Sequence, residues 1–272
     1  MKFLTEPEPT RGTVLPVADG IRRVVAPNPG PFTYHGTNTY LIDSDAGLMV
    51  LDPGPDDASH REAILAATGG RIAKILLSHT HADHLDGLAA LQAATGAPSH
   101  GFHASADPRF VPDMPLHDGD TLEGWTALHT PGHAADHLCF ARDDGVVLTA
   151  DHIMSWSTSV VSPPGGHMGQ YFASLRRMLA RDDRLHLPGH GPPLAEPRGY
   201  VQHLLDHRQQ REAAILAALA TGPQTAAGLV DALYVGLAER LKPAASRSVT
   251  AHLEKLRDEG GARMSDGIWQ VV

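Results

Sequence analysis

The feature that most constrains this chain is a run of metal-ligand side chains directly after a short apolar segment. Residues 72–77 read Ile-Ala-Lys-Ile-Leu-Leu, and residues 78–84 read Ser-His-Thr-His-Ala-Asp-His. Three imidazoles and one carboxylate within six residues, placed at the end of a strand, provide the donor density that Zn²⁺ or a similar divalent cation requires. The run predicts a metal site at the edge of a sheet, and the alternative is a solvated, histidine-rich loop.

Three more candidate ligands stand apart from this run, at His133, Asp151 and His190. Each follows a short apolar or β-branched segment and is bordered by Gly, Pro or another small residue, which predicts a position at or just after a strand end. Taken alone, each could be a hydrogen-bonded loop residue. Together with the run, they supply enough donors for two metal ions, and the chain is predicted to be a metal-dependent hydrolase.

Length and composition indicate a soluble enzyme with one large and one small domain, since the chain has 272 residues and a net charge of −9. Its single cysteine, Cys139, excludes an internal disulfide and a thiolate-rich metal site, and its neighbours predict a buried strand position. The first residues lack the apolar run of a signal peptide, and no stretch reaches the ~18 apolar residues of a membrane span. These features predict a cytoplasmic protein without a membrane partner.

Apolar periodicity predicts an α/β sandwich in the first two thirds of the chain. The predicted strands cover residues 21–25, 39–42, 48–51, 72–77, 125–129, 137–141, 146–149 and 185–187. The predicted helices cover residues 58–67, 85–93 and 171–179, and a long loop over 155–169 contains Trp156, as a substrate rim or as a packing anchor.

The last part of the chain changes to helices, and we predict a catalytic domain over residues 1–200 and a C-terminal domain over 201–272. Helices are predicted over 201–220, 224–234 and 246–257, followed by an Asp-Gly turn in a hairpin over 262–272, as in a winged helix. Residues 205–272 contain 8 Lys and Arg and 8 Asp and Glu. DNA-reading domains are usually basic, so we expect a cap or substrate-side wall rather than strong DNA binding.

The order His-x-His-x-Asp-His, Gly-His, Asp and Gly-His resembles the metallo-β-lactamase superfamily over most of the chain. The resemblance extends to Gly-Thr-Asn-Thr-Tyr-Leu-Ile at 36–42, Val-Leu-Asp-Pro-Gly at 50–54, His-Thr-Pro-Gly-His at 129–133 and Pro-Gly-His-Gly-Pro at 188–192. It is strongest to the β-lactamase-like protein 2 type, whose relatives include glyoxalase II thioesterases and RNA-processing nucleases. This implies an αββα sandwich followed by a small winged-helix-like domain.

The resemblance also implies roles for individual residues. It places His79, His81 and His133 on a first metal ion and Asp83, His84 and His190 on a second, with Asp151 bridging both. The ions are expected to be two Zn²⁺, with Mn²⁺ or Fe²⁺ as alternatives, and a hydroxide that bridges them would be the nucleophile.

Two acidic residues are further implied in catalysis, Asp83 and Asp52. Asp52 would orient a ligand histidine or the backbone, and the alternative is a turn or cap carboxylate. Ala150 replaces the usual Gly before Asp151, which we expect to change little. His152 could be a proton donor to the substrate or could support a ligand.

The bond that is cleaved stays open at this point. The resemblance favours a phosphodiesterase or endoribonuclease acting on single-stranded RNA, although the acidic composition opposes binding to a polyanion. The alternative is hydrolysis of a small acyl or thioester compound, as in glyoxalase II. A lactonase, a β-lactamase and a non-enzymatic, metal-stabilised binding module are more remote alternatives, and the sequence does not reveal the oligomeric state or the general acid.

Overall fold

The computed structural model describes residues 2–272, without the side chain of Arg240, and the chain divides into two units. The first contains Met1–Thr130, Asp136–Ser159 and Asp182–Pro197, and the second contains Pro131–Ala135, Val160–Arg181 and Arg198–Val272. The predicted boundary between residues 200 and 201 stays a prediction. Among the described residues, no helix combines the length and the apolar character needed to cross a lipid bilayer.

The first unit begins with a sheet that is antiparallel in its first half and parallel in its second. Three of its strands, over residues 15–18, 99–102 and 114–116, were not predicted, because they are only three or four residues long and two of them contain proline. In spatial order, the strands are β1 Leu15–Ala18, β2 Ile21–Val25, β3 Asn38–Ile42, β4 Met49–Leu51, β5 Lys74–Leu76, β6 Ser99–Phe102 and β7 Met114–Leu116.

A second sheet of six strands completes the first unit, with the order β13-β12-β11-β10-β9-β8. Only the β11–β12 pair is parallel. The strands are β8 Thr121–Leu122, β9 Trp125–His129, β10 Leu138–Arg142, β11 Val146–Ala150, β12 Leu185–Pro188 and β13 Leu194–Ala195.

Two apolar clusters fix these layers. In β3, Tyr40 and Ile42 pack in a cluster that also contains Trp125 and Phe140 of the second sheet, so the two sheets face each other. Leu41 points to the opposite face and packs with residues of two helices, α1 Ala58–Thr68 and α3 Leu88–Thr95. The period-2 alternation along β3 therefore separates the two cores, and the predicted α/β class is confirmed.

The prediction of one continuous helix over residues 85–93 is wrong, because two separate helices cover this part of the chain. A short helix α2, Ala82–Leu85, ends before Gly87, and α3 begins after it. A Cβ at Gly87 would lie 2.9 Å from the carbonyl oxygens of Pro53 and Pro55, and its amide donates to the Gly54 carbonyl at 2.9 Å. This close approach of two backbones requires glycine and interrupts the helix.

Among the described residues, four α-helices and a hairpin make up most of the second unit, with one turn of 3-10 helix at Glu239–Leu241. The α-helices and the hairpin strands are α4 Met168–Leu179, α5 Arg198–Ala220, α6 Ala226–Leu233, α7 Lys242–Asp258, β14 Ala262–Ser265 and β15 Ile268–Val271. Residues of α5, α6, α7 and the hairpin share one apolar cluster that includes Ile215, Val249 and Trp269. The predicted winged helix is thereby confirmed, although α7 starts four residues earlier than predicted.

Candidate metal centre

Four of the expected ligands lie together where strands of both sheets end. Asp83 and His84 are in α2, which follows β5, while Asp151 follows β11 and His190 follows β12. His190 Nε2 lies 3.2 Å from Asp83 Oδ2 and 3.4 Å from Asp151 Oδ1. His84 Nε2 lies 3.5 Å from Asp83 Oδ2 and 3.6 Å from Asp151 Oδ1. Two imidazoles thus face two carboxylates across one small space.

The donor atoms in this space fit a metal ion. His84 Nε2 is buried and has no hydrogen-bond partner among the described residues, although a buried polar nitrogen normally has one. One group of donors within 4.8 Å of one another comprises Asp83, His84 and His190, and a second comprises His79, His84 and Asp151. Imidazole nitrogens and carboxylate oxygens at such spacing are typical ligands of Zn²⁺ and similar ions.

Gly189 keeps this space open. A Cβ at this position would collide with Asp151 Oδ1 and would lie 3.0 Å from His84 Cε1. Two neighbouring residues adopt a left-handed backbone that is unusual for side chains larger than glycine, Asp52 with φ 54° and Ala150 with φ 41°. Ala150 was expected to change little, but at this φ the alanine carries strain that a glycine would not.

His79 and His81 form the other side of the centre. His79 Nε2 lies 3.0 Å from His81 Nδ1, and His79 Nδ1 lies 2.9 Å from the Ser78 hydroxyl. His79 is buried and His81 is exposed. The pair therefore has one anchored ring and one ring that solvent can reach.

His133 belongs to the second unit. Its Nδ1 lies 2.6 Å from the carbonyl oxygen of Val160, within that unit. This contact leaves Nε2 as the atom that would bind a metal ion, and the role of His133 as a ligand stays a prediction.

Asp52 anchors the metal-binding run. Its Oδ1 accepts a hydrogen bond from the Ser78 amide at 2.8 Å, and its Oδ2 accepts one from the Ser78 hydroxyl at 2.7 Å. The same Oδ2 lies 2.8 Å from His84 Nδ1. Asp52 is 1% exposed, so it contacts the ligand histidine from behind rather than the space between the ligands.

Burial opposes ionisation of the two carboxyl groups in this space, but the adjacent imidazoles reverse the effect. Burial would raise the pKa of Asp83, yet His84 and His190 hold it below its usual range. His190 and His84 do the same for the pKa of Asp151. Burial would lower the pKa of His190, whereas Asp151 and Asp83 raise it to about 9.

Two residues near the centre, Thr37 and Asn38, have contacts that the sequence did not predict. Thr37 Oγ1 lies 3.4 Å from Asp83 Oδ2, and the Asn38 amide group donates to the carbonyl oxygens of Pro188 and Gly191 at 2.9 Å. The Gly-Thr-Asn-Thr motif that contains both was the available signal.

Two residues with open roles are buried or packed. His152 is fully buried, which favours a supporting role over proton donation to a substrate. Trp156 stacks on Tyr34 with ring centroids 5.0 Å apart, and a Cβ at Gly191 would lie 2.7 Å from its indole. These contacts are those of a packing anchor, and its role at a substrate rim stays a prediction.

Two family models match this chain. Residues 33–114 match the metallo-β-lactamase superfamily, and residues 225–269 match the β-lactamase associated winged helix domain. The second match lies within the helices and hairpin of the second unit.

Known proteins that are similar to this chain include two curated relatives and one solved structure. A β-lactamase-like protein 2 homolog of Drosophila melanogaster is 31% identical, over 92% of this chain and 91% of the relative. An atrochrysone carboxyl ACP thioesterase of Claviceps purpurea is 30% identical, over 80% of this chain and 71% of the relative. A protein solved in a di-iron-bound form is 29% identical, with a TM-score of 0.56, over 65% of this chain and 96% of that chain.

Proposed function

Because the chain belongs to the metallo-β-lactamase superfamily and is a hydrolase, we propose that it is a dinuclear metal enzyme that cleaves acyl thioesters. The observation that carries the choice of substrate class is the charge around the ligands. The unit that contains six of the seven ligands has 10 Lys and Arg against 23 Asp and Glu. A neutral thioester carbonyl can enter such surroundings without the repulsion that a phosphate backbone would meet.

The ligand sets in this proposal follow the sequence expectations. His79, His81 and His133 would hold the first ion, Asp83, His84 and His190 would hold the second, and Asp151 would serve both. When bound, two divalent ions lower the pKa of a water molecule and polarise the carbonyl under attack. Zinc is the expected metal, and the relative in a di-iron-bound form supports iron as the alternative.

The chain's own residues position this chemistry. Asp52 holds the ring of His84 through Nδ1, so that Nε2 faces Asp83 and Asp151. His84 and His190 are buried, whereas Asp83 is partly exposed and His81 is exposed, so a substrate can reach the centre from the side of these two residues. The named relative that acts on a carrier-bound acyl thioester supports this reading.

Single-stranded RNA is the second candidate substrate, and one observation favours it. The second unit contains 12 Lys and Arg against 8 Asp and Glu. Residues 205–272 supply 8 of these basic residues, and the other four are Arg176, Arg177, Arg181 and Arg198. This net positive charge favours the approach of a nucleic acid. The first unit contains 10 Lys and Arg against 23 Asp and Glu, and this negative charge opposes the binding of RNA. Strong binding to duplex DNA is not expected, and the cytoplasmic location stays a prediction.

Parallel assays test the proposal. Purified protein, loaded with Zn²⁺ or with Fe²⁺, is incubated with acyl-coenzyme A thioesters, S-lactoylglutathione, labelled single-stranded RNA and nitrocefin. We expect turnover of at least one thioester, loss of that turnover with a chelator, and recovery on adding metal. Metal analysis of the same samples should give about two ions per chain.

The variant Asp83→Ala serves as the catalytic control, and Asp113→Asn serves as a control at a carboxylate that hydrogen-bonds Ser99 and Gln92 instead. Chelator-sensitive cleavage of RNA, without turnover of any thioester, would replace the thioester proposal by the RNA one. At most one bound ion in the active, reconstituted protein would exclude the dinuclear assignment.

A further inference from the structure

Residues 136–138 lie alongside the start of the metal-binding run, residue against residue. Asp136 Oδ2 accepts a hydrogen bond from the Thr80 hydroxyl at 2.6 Å. The ring of His137 stacks on the ring of His79, with centroids 5.1 Å apart. The Leu138 amide donates to the Ser78 carbonyl at 2.7 Å. The beginning of the second sheet's β10 therefore contacts residues 78–80, which follow β5 of the first sheet.

Asp136 connects this run to a third segment. The same Oδ2 accepts a hydrogen bond from the Ala106 amide at 2.9 Å, and the Thr80 hydroxyl accepts one from the Asp107 amide at 3.1 Å. Both amides belong to the connection between β6 and β7. One carboxylate oxygen and one hydroxyl thus hold together the metal-binding run, the segment before β10 and the loop after β6.

Burying the Asp136 carboxylate costs free energy of folding, because one of its oxygens gains no hydrogen bond in return. Asp136 is 2% exposed, and its Oδ1 is buried without a hydrogen-bond partner among the described residues. A buried carboxylate oxygen without a partner is unfavourable. Replacing Asp136 by an apolar residue would remove this cost, but the Thr80 hydroxyl and the Ala106 amide would lose their acceptor.

We propose that the Thr80–Asp136 hydrogen bond is a positioning device that holds His79 and His81 in the geometry for metal binding. Thr80 lies between these two histidines in the chain, so fixing its side chain limits the rotation of the backbone on both sides. The two residues act through the histidines and contact no substrate. The inference rests on the metal-ligand part of the proposed function and is independent of the substrate.

The test compares Thr80→Val with Thr80→Ser. Valine has nearly the same shape as threonine but cannot donate to Asp136, whereas serine keeps the hydroxyl. Thr68→Val is the control for loss of a threonine hydroxyl, because the Thr68 hydroxyl donates to the Ile64 carbonyl in α1 at 2.9 Å and not to the metal-binding run. Zinc affinity is measured by competition with a chromogenic chelator, and thermal unfolding of each metal-free protein reports the fold.

We expect Thr80→Val to weaken the binding of one of the two ions about 10-fold, as for other residues that orient metal ligands, while Thr80→Ser and Thr68→Val bind as the parent does. If Thr80→Val does not fold, Asp136→Ala in the full chain, with Asp113→Ala as its control, should show the same loss for one ion. Chelator curves of Thr80→Val that coincide with those of the parent would overturn the proposal. So would an equal loss in Thr80→Ser. A parent protein that binds no metal would instead contradict the proposed function itself.

Discussion

His84 Nδ1 lies 2.8 Å from Asp52 Oδ2, and this contact determines which nitrogen of His84 faces the other ligands. A carboxylate oxygen only accepts hydrogen bonds, so Nδ1 carries the proton and donates it. In the neutral ring that a metal ion requires, the lone pair is then on Nε2, the buried atom that faces Asp83 and Asp151. Asp52 therefore fixes both the tautomer and the direction of this ligand.

Replacing Asp52 by asparagine should weaken the second metal site. Asp52 uses both oxygens as acceptors, from Ser78 and from His84, and an amide group would point its NH₂ at one of these donors. We expect a loss of about 10–100-fold in the affinity for one ion, measured by chelator competition. Asp113→Asn is the control, because three donors share a single oxygen of Asp113 and an amide oxygen can replace it. Equal affinities in the two variants would show that Asp52 does not orient His84.

Asp83→Ala should separate the two metal sites. The substitution removes a partly exposed carboxylate that lies near His190 and His84, so the fold should survive. His79 and His81 remain, and we expect the first ion to stay partly bound while most turnover is lost. Elemental analysis and the thioester assay report the two effects. An unchanged metal content together with near-parent turnover would contradict the assignment of Asp83.

The sequence predicted which residues gather at the candidate centre better than it predicted the contacts that position them. The run from His79 to His84 stood out because its donors are dense and follow an apolar strand, and Asp151 and His190 because glycine or small residues border them. The contacts of Asp136 with Thr80 join residues 56 positions apart, and no local pattern marks such a pair. The break between α2 and α3 was missed for the same reason, since Gly87 is required only by a distant backbone.

The net charge of the second unit was not apparent from the sequence alone. Residues 205–272 are neutral, but the structure groups them with α4, which carries Arg176 and Arg177 in its last turn. α4 packs with α5 and α7, although two strands of the first unit separate it from them in the chain. Apolar periodicity does not reveal such a grouping.

Gly189→Ala should damage the metal centre without unfolding the protein. A Cβ at Gly189 would collide with Asp151 Oδ1 and press on His84, so both side chains must move. We expect a marked loss of bound metal, measured by elemental analysis. Gly165→Ala is the matched control, because a Cβ there would meet nothing within 4 Å. Retention of both ions by Gly189→Ala would show that the ligands adjust freely and that the close approach is unimportant.

His60 should make the stability of the metal-free protein depend on pH. It is 2% exposed, and its Nε2 lies 2.8 Å from the Thr39 hydroxyl, which itself donates to the Asp52 carbonyl at 2.6 Å. Burial lowers the pKa of His60 from 6.5 to about 4, against the opposing effect of Asp57. The unfolded chain then binds a proton that the folded chain does not. Stability from this residue is complete above pH 6.5 and is lost as the pH falls towards 4, by about 1.4 kcal/mol per pH unit.

Urea unfolding of the metal-free parent and of His60→Gln, between pH 7.5 and 4.5, measures this loss. The amide NH₂ of glutamine can donate to Thr39 but does not titrate, and all other titrating groups are common to both proteins. We therefore expect the free energy of unfolding of the parent to fall relative to that of His60→Gln, by roughly 2–3 kcal/mol over this range. His203→Gln, at an exposed position on α5, should follow the parent. Parallel curves for the parent and His60→Gln would mean that His60 is protonated in the fold as readily as in the unfolded chain, and that its hydrogen bond to Thr39 does not require the neutral ring.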